Sequence, residues 1–225
     1  MTMRKPIIIV NMKTYLQSIG EKAIKLAKSA AKVSEKTGAE IILAPQLTDL
    51  KEVAKIVPAY SQHIDPIEPG AHTGHVLGES LKDAGATGVI INHSEDVVPF
   101  DDIKKNIEKA RSLGLTTVVC APSAIEAEEI AKFSPDFIAV EPPELIGGDI
   151  SVSTAKPELI EETVKGVHKV NPNIKVLCGA GVKTGKDVKK AMELGAEGIL
   201  VASGVVKAED PEAALMDLSG ACVEK

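Results

Sequence analysis

Apolar residues along this chain gather in eight short runs: Ile7 to Val10, Ile41 to Ala44, Ala59 to Gln62, Val89 to Asn92, Thr117 to Cys120, Phe137 to Val140, Ile174 to Leu177 and Ile199 to Ala202. Such runs are too short for most helices and show little polar alternation, which is the pattern of strands buried on both faces of a parallel sheet. The stretches between them carry helical period. Val188, Ala191 and Met192 share one face while Lys186, Lys189, Lys190 and Glu193 point elsewhere. Helix starts are marked by Asp210 before Pro211, by Lys156 before Pro157, and by Thr184 three residues ahead of Asp187. Gly38, Gly85, Gly114 and Gly195 each stand a few residues before the next run, where a helix end needs a left-handed cap.

Two segments echo one another. Gly85-Ala86-Thr87-Gly88-Val89-Ile90-Ile91-Asn92-His93-Ser94 and Gly195-Ala196-Glu197-Gly198-Ile199-Leu200-Val201-Ala202-Ser203-Gly204 both read as helix stop, tight turn, buried strand and polar or small-residue loop. An open doubly wound sheet usually places a glycine-rich phosphate turn after its first strand, whereas here that strand runs into Asn11-Met12-Lys13-Thr14. Eight such units predict an α/β fold of the closed (β/α)8 type, one domain over residues 1–225. The chain has 225 residues, fewer than the roughly 250 typical of that architecture, so several helices or loops must be trimmed.

Composition narrows the function classes. With 44% apolar residues the chain can bury one substantial core, and a net charge of -6 without a lysine or arginine cluster argues against nucleic acid or an anionic membrane as partner. No apolar run reaches membrane-spanning length. The run Pro6 to Val10 is too short for a secretory signal and lacks a small-residue cleavage site, so a cytoplasmic location is expected. Three cysteines, Cys120, Cys178 and Cys222, are odd in number and lack metal-ligand spacing, so they read as reduced, buried thiols.

In a closed barrel the chemistry collects at the carboxyl ends of the strands. Glu141 directly follows the run Phe137 to Val140, and a carboxylate placed there is partly desolvated, which suits it to act as a base near neutral pH. A strand-end glutamate salt-bridged at the rim is the alternative. Pro142-Pro143, Glu144-Leu145-Ile146 and Gly147-Gly148 then read as a lid with a stiff exit, an apolar tip and bare amides that could reach an anion. Strand one delivers Asn11 and Lys13, and strand four delivers Asn92, His93, Ser94 and Glu95. Strands seven and eight deliver Cys178-Gly179-Ala180-Gly181 and Ala202-Ser203-Gly204, whose small side chains leave amides exposed beside a following helix, as phosphate sites do. Lys13 alone reads as a rim lysine pairing with Glu95 ahead of a catalytic cation, and His93 as a site residue or as a core histidine with a satisfied ring. His63, His72, His75 and His168 lie off this set and receive no catalytic role.

Taken together, Asn11-x-Lys13, His93-Ser94-Glu95, Glu141-Pro142 with a lid ending in Ile146-Gly147, and the two late glycine-rich loops resemble the triosephosphate isomerase family in order and register, over essentially the whole chain. The short length, Glu141 to Gly147, Gln62-His63-Ile64-Asp65 and Cys178-Gly179-Ala180-Gly181 resemble its archaeal branch. There are departures from the bacterial and eukaryotic pattern. The lid lacks a tryptophan, Cys178 stands where a lid-latching tyrosine is usual, Gly181 replaces a phosphate-binding serine, and Asp96 replaces an arginine.

The resemblance implies a TIM barrel that interconverts dihydroxyacetone phosphate and glyceraldehyde 3-phosphate through an enediolate, in glycolysis and gluconeogenesis. It implies Glu141 as base and a neutral His93 as electrophile, a pairing for which this family is itself the standard worked case. Lys13 and Asn11 would stabilise the enediolate, with Ser94 and Glu95 in support. The phosphate would rest at Gly147, Gly181, Ala202 and Ser203, with Ile146 at the lid. Neither metal nor cofactor is implied. Thr73, in the segment Ala71 to His75, would reach into a neighbouring subunit, and the expected assembly is a homotetramer built from two dimers. Two other classes stay open: a Schiff-base aldolase with Lys13 as nucleophile, and a non-catalytic oligomeric barrel.

Overall fold

A computed structural model describes residues 3–145, 151–221 and 223–224 of the chain. All eight expected strands form: β1 (Ile7–Asn11), β2 (Glu40–Ala44), β3 (Tyr60–Ser61), β4 (Gly88–Ile91), β5 (Thr116–Ala121), β6 (Phe137–Val140), β7 (Lys175–Gly179) and β8 (Gly198–Val201). They pair in parallel in the order β2-β1-β8-β7-β6-β5-β4-β3. The remaining seam, between β2 and β3, closes through the single bridge between Leu43 and Ala59, where the Leu43 amide donates to the Pro58 carbonyl at 3.1 Å. This is the thinnest part of the wall. The expectation of a four-residue strand from Ala59 to Gln62 was too long, because Gln62 turns its amide to other work and leaves the ladder.

The unbroken apolar runs have two cores to fill. Ile7, Ile9, Ile42, Ala44, Tyr60, Ile90, Val118, Phe137, Ala139, Leu177 and Leu200 pack inside the barrel. Their strand neighbours Ile8, Val10, Ile41, Leu43, Val89, Ile91, Val119 and Val140 point outward into the layer under the helices, as the two-residue period of a strand requires. Burying such a side chain stabilises the fold by about 1.5–3 kcal/mol, so both faces contribute. At Gly198 the backbones approach so closely that an added β-carbon would lie 2.0 Å from the Ile7 carbonyl oxygen.

The helical layer comprises, among the described residues, α1 (Glu21–Thr37), α2 (Leu47–Val53), α3 (Gly78–Asp83), α4 (Phe100–Ser112), α5 (Ala124–Ala131), α6 (Val152–Ala155), α7 (Pro157–Val170), α8 (Gly185–Glu193), α9 (Ser203–Val206) and α10 (Pro211–Ser219). The trimming falls mainly after β2 and β3, where α2 and α3 have seven and six residues. The expected caps form. Thr184 and Asp187 make a reciprocal capping box at α8, and Asp210 accepts from the Ala213 amide ahead of Pro211. Gly38, Gly85, Gly114 and Gly195 all take left-handed φ values, from +67° to +101°. A short antiparallel pair, Met3–Arg4 with Val223–Glu224, lies outside the barrel, and the Arg4 guanidinium donates to the carbonyls of Met192 and Ala196, both at 3.0 Å. No helix among the described residues is long and apolar enough to cross a membrane.

Candidate active site

The carboxyl ends of β1, β4, β6, β7 and β8 converge on one pocket, lined by Asn11, Lys13, His93, Glu141, Gly181, Ala202 and Ser203 among others. Three of the turns that deliver these residues are left-handed without glycine: Lys13 has φ +47°, Asn92 φ +60° and Ala180 φ +69°. Each costs on the order of 1–3 kcal/mol and persists only where the surroundings over-determine it. The side chain of Asn92 does so for the β4 turn. Its Nδ2 donates to the Cys120 carbonyl at 3.0 Å and its Oδ1 accepts from the Val98 amide at 3.2 Å.

That turn places His93 in the pocket, with the residue 7% exposed. The Glu95 amide donates to His93 Nδ1 at 3.1 Å. One ring nitrogen is thus engaged within the turn that carries it. Nε2 faces Glu141 Oε2 at 3.5 Å. Glu95 Oε2 also lies 3.6 Å from Nδ1. The two readings of His93 thus merge, since its ring is both satisfied and aimed at the site.

Glu141 is 6% exposed. Burial pushes its carboxyl above the usual carboxylate range, and nearby His93, the Cys120 thiol and Lys13 offset only part of that. Its Oε2 has no hydrogen-bond partner among the described residues, leaving it available to a substrate proton. Its seat is made by Gly179, a residue whose part in this the sequence reading missed. An added β-carbon there would lie 2.2 Å from Glu141 Cγ. The Glu141-Gly179 approach joins two strands, so no local signal could have announced it.

Lys13 makes the rim ion pair with Glu95, Nζ to Oε1 at 2.9 Å, and also lines the pocket. Asn11 Oδ1 accepts from the Lys13 amide at 3.0 Å. On the opposite wall Gly181 takes φ +68°, and α9 begins at Ser203 with its amino end toward the pocket. Tyr15, Val182 and Lys183 also line it and were not anticipated. Ser94 lies outside this pocket, lining a separate cavity of about 220 Å³ with Cys120, Glu126 and Glu141. Ile146 and Gly147 lie outside the described residues, as does Cys222. The described part of the expected lid is a buried Pro142 and a single turn, Pro143–Leu145, with Glu144 ion-paired to Lys156.

Cys120 and Cys178 are buried, and burial pushes both thiols well up, which leaves them poor nucleophiles. A second, open groove of about 580 Å³ adjoins the pocket, sharing Asn11, Lys13 and His93 with it and lined also by Gln46, Gln62, His63, Glu95 and Asp96. In it His63 bridges two carboxylates, Nδ1 to Asp96 Oδ2 at 2.9 Å and Nε2 to Asp65 Oδ1 at 3.1 Å. His72 and His75 are exposed, and the His168 ring meets the Ile174 carbonyl. Thr73 sits exposed in the loop between β3 and α3.

One buried carboxylate with raised proton affinity faces an imidazole nitrogen, with a cation and small-residue loops across the pocket. This set can remove a proton from carbon and protonate an adjacent oxygen while an anionic group is held nearby. Comparison with known proteins agrees. The profile of the family described as triosephosphate isomerase matches residues 6–219. Proteins named triosephosphate isomerase are similar to this chain in Methanothermus fervidus (52% identity, covering 96% of this chain and 98% of that one), Methanobacterium bryantii (51%, 95% and 95%) and Methanocaldococcus jannaschii (51%, 94% and 98%). With the site assembled at the strand ends and the match running through nearly all of its length, the chain belongs to the triosephosphate isomerase family.

Proposed function

We propose that this chain interconverts dihydroxyacetone phosphate and D-glyceraldehyde 3-phosphate, a step shared by glycolysis and gluconeogenesis, and that proton transfer runs between Glu141 and His93. Glu141 takes the proton from the carbon beside the carbonyl while His93 Nε2–H donates to the carbonyl oxygen. The resulting enediolate receives the carbon proton back from Glu141 on the neighbouring carbon, and His93 recovers its proton from the other oxygen. Lys13 and Asn11 stabilise the negative charge that develops on oxygen, which counts for most where water is excluded. The substrate phosphate rests on the amides of Gly181, Ala202 and Ser203, joined by Gly147 and Ile146 of the lid. Ser94 and Glu95 support the turn that carries His93. Protons alone move, so side chains suffice for every step.

The observation that carries this reading is the 3.5 Å approach of His93 Nε2 to Glu141 Oε2 with Nδ1 already engaged. A coupled assay with glyceraldehyde 3-phosphate tests it, and an inactive chain would refute it. Lys13 acting as a Schiff-base nucleophile is disfavoured because its Nζ is engaged by Glu95 Oε1 at 2.9 Å. Borohydride in the presence of substrate should trap no adduct.

The same family reading places the enzyme in the cytoplasm as a homotetramer of two dimers, with Thr73 entering the neighbour's groove beside Lys13. The exposure of Thr73 and the open groove support this. Light scattering of Thr73→Arg beside the unaltered chain is the check: the substitution should loosen the dimer and lower activity together. A fully active monomer would overturn the assignment.

A further inference from the structure

We infer that Gln62 is a positioning residue acting through the backbone of Lys13, an inference that rests on the proposed role of Lys13 at the enediolate. Lys13 occupies the left-handed region at φ +47°, where a β-carbon is disfavoured. Two side chains hold it there. On one side Asn11 Oδ1 accepts from the Lys13 amide at 3.0 Å. On the other, Gln62 Nε2 donates to the Lys13 carbonyl at 3.1 Å and to the Ala44 carbonyl at 2.8 Å.

The chemistry of that second contact leaves little freedom. Both partners are carbonyl oxygens, so the NH2 end of the amide must face them, and both of its hydrogens are used. Ala44 O also accepts from the Met12 amide at 3.0 Å. The strained turn is thereby bolted to the end of β2, on the seam where the barrel wall is held by one bridge. The long Lys13 side chain then starts from a fixed base, which limits where its ammonium can travel between Glu95 and the pocket. Gln62 lines the adjoining groove, which shares Asn11, Lys13 and His93 with the pocket, but not the pocket that holds Glu141, and its amide is spent on two backbone carbonyls, so it acts through Lys13.

A residue that merely staples the β2–β3 seam would make the same hydrogen bonds, and kinetics separates the two roles. Gln62→Met keeps the length but removes both donors. On the full chain with glyceraldehyde 3-phosphate it is expected to lower kcat about ten- to hundredfold, with KM changed by less than about threefold. In a Lys13→Met background the same substitution should change kcat by less than about twofold, because residues acting as one unit are not additive. Losses that multiply would mark a staple independent of Lys13 and overturn the inference while leaving Lys13 in its role. Wild-type turnover in Lys13→Met would instead overturn the reading of Lys13 itself, and this inference with it. Should Gln62→Met not fold, Gln62→Asn, which draws the same donors back by one methylene, enters the cycle with the same outcomes.

Discussion

The two ends of the barrel turn the chain equally often, yet they treat strain differently. At the amino end the left-handed positions ahead of β2, β4, β5 and β8 are Gly38, Gly85, Gly114 and Gly195, with Ser134 ahead of β6 as the exception. At the carboxyl end three are Lys13, Asn92 and Ala180, all lining or shaping the pocket. Glycine takes such a conformation at no steric cost, whereas other residues do not. The amino end is therefore built for stability. The carboxyl end keeps strained turns, a desolvated carboxylate and an oxygen without a partner among the described residues, each of which lowers stability and each of which fits the proton transfer proposed above.

Glu141→Gln tests that contrast most severely. It keeps the shape and removes the proton acceptor, so kcat should fall by about 10³-fold or more. Stability should move the other way. A carboxyl whose proton affinity is raised by burial favours the folded state below the ordinary carboxylate range and loses that contribution as pH rises through its raised value. At neutral pH the charged group is a burden, and the Glu141→Gln variant should melt at the same temperature or higher. A variant both inactive and clearly less stable would break the comparison. For the unaltered enzyme, the acid limb of kcat/KM should lie above the range of a solvent-exposed carboxylate.

Gly179→Ala and Gly114→Ala set the two ends directly against each other. At the catalytic end the new methyl would meet Glu141 Cγ at 2.2 Å, and displacing the base should lower kcat about a hundredfold, as misplacements near 1 Å do. At the amino end the nearest atom to a new methyl on Gly114 is Lys82 Nζ at 3.8 Å, but φ is +67°. That change should cost about 1–2 kcal/mol in denaturant unfolding and leave kcat as it was. Equal kinetic effects at the two sites would remove the distinction.

The mildest test is Ala180→Gly. Relieving φ +69° should raise or preserve stability, within about 1 kcal/mol after the entropy lost by glycine. Turnover should drop slightly as the adjoining amides loosen. A marked loss of stability would mean that the Ala180 methyl is held by packing stronger than the strain.

Several elements were plain in the residue order. The eight runs became eight strands, and the capping signals at Thr184 and Asp210 and the glycine stops formed as read, because each rests on neighbours within a few residues. Lys13, His93 and Glu141 were placed by their position after a buried run, and the pocket gathers them. Other features had no such signal. Tyr15 and Lys183 reach the pocket from loop positions with no repeating pattern, and the residues of the sequence motif Gln62-His63-Ile64-Asp65 found their work only in the groove. There Asp65 is pushed up by burial but held below its usual value by the Val76 amide and His63, while His63 links it to Asp96.

By itself, the sequence determined the eight barrel strands, their buried faces and the strand end at which each site residue emerges, since these depend on hydrophobic period and local turn chemistry. Only the tertiary structure decided that Gly179 makes room for Glu141, that the Glu95 amide meets His93 Nδ1, and that Gln62 holds the Lys13 turn. The Gly179 and Gln62 contacts join residues far apart in the chain, and the Glu95–His93 bond depends on a non-glycine left-handed turn. Barrel closure and the turn at Asn92 set their separations, and no pattern along the chain encodes a distance across the fold.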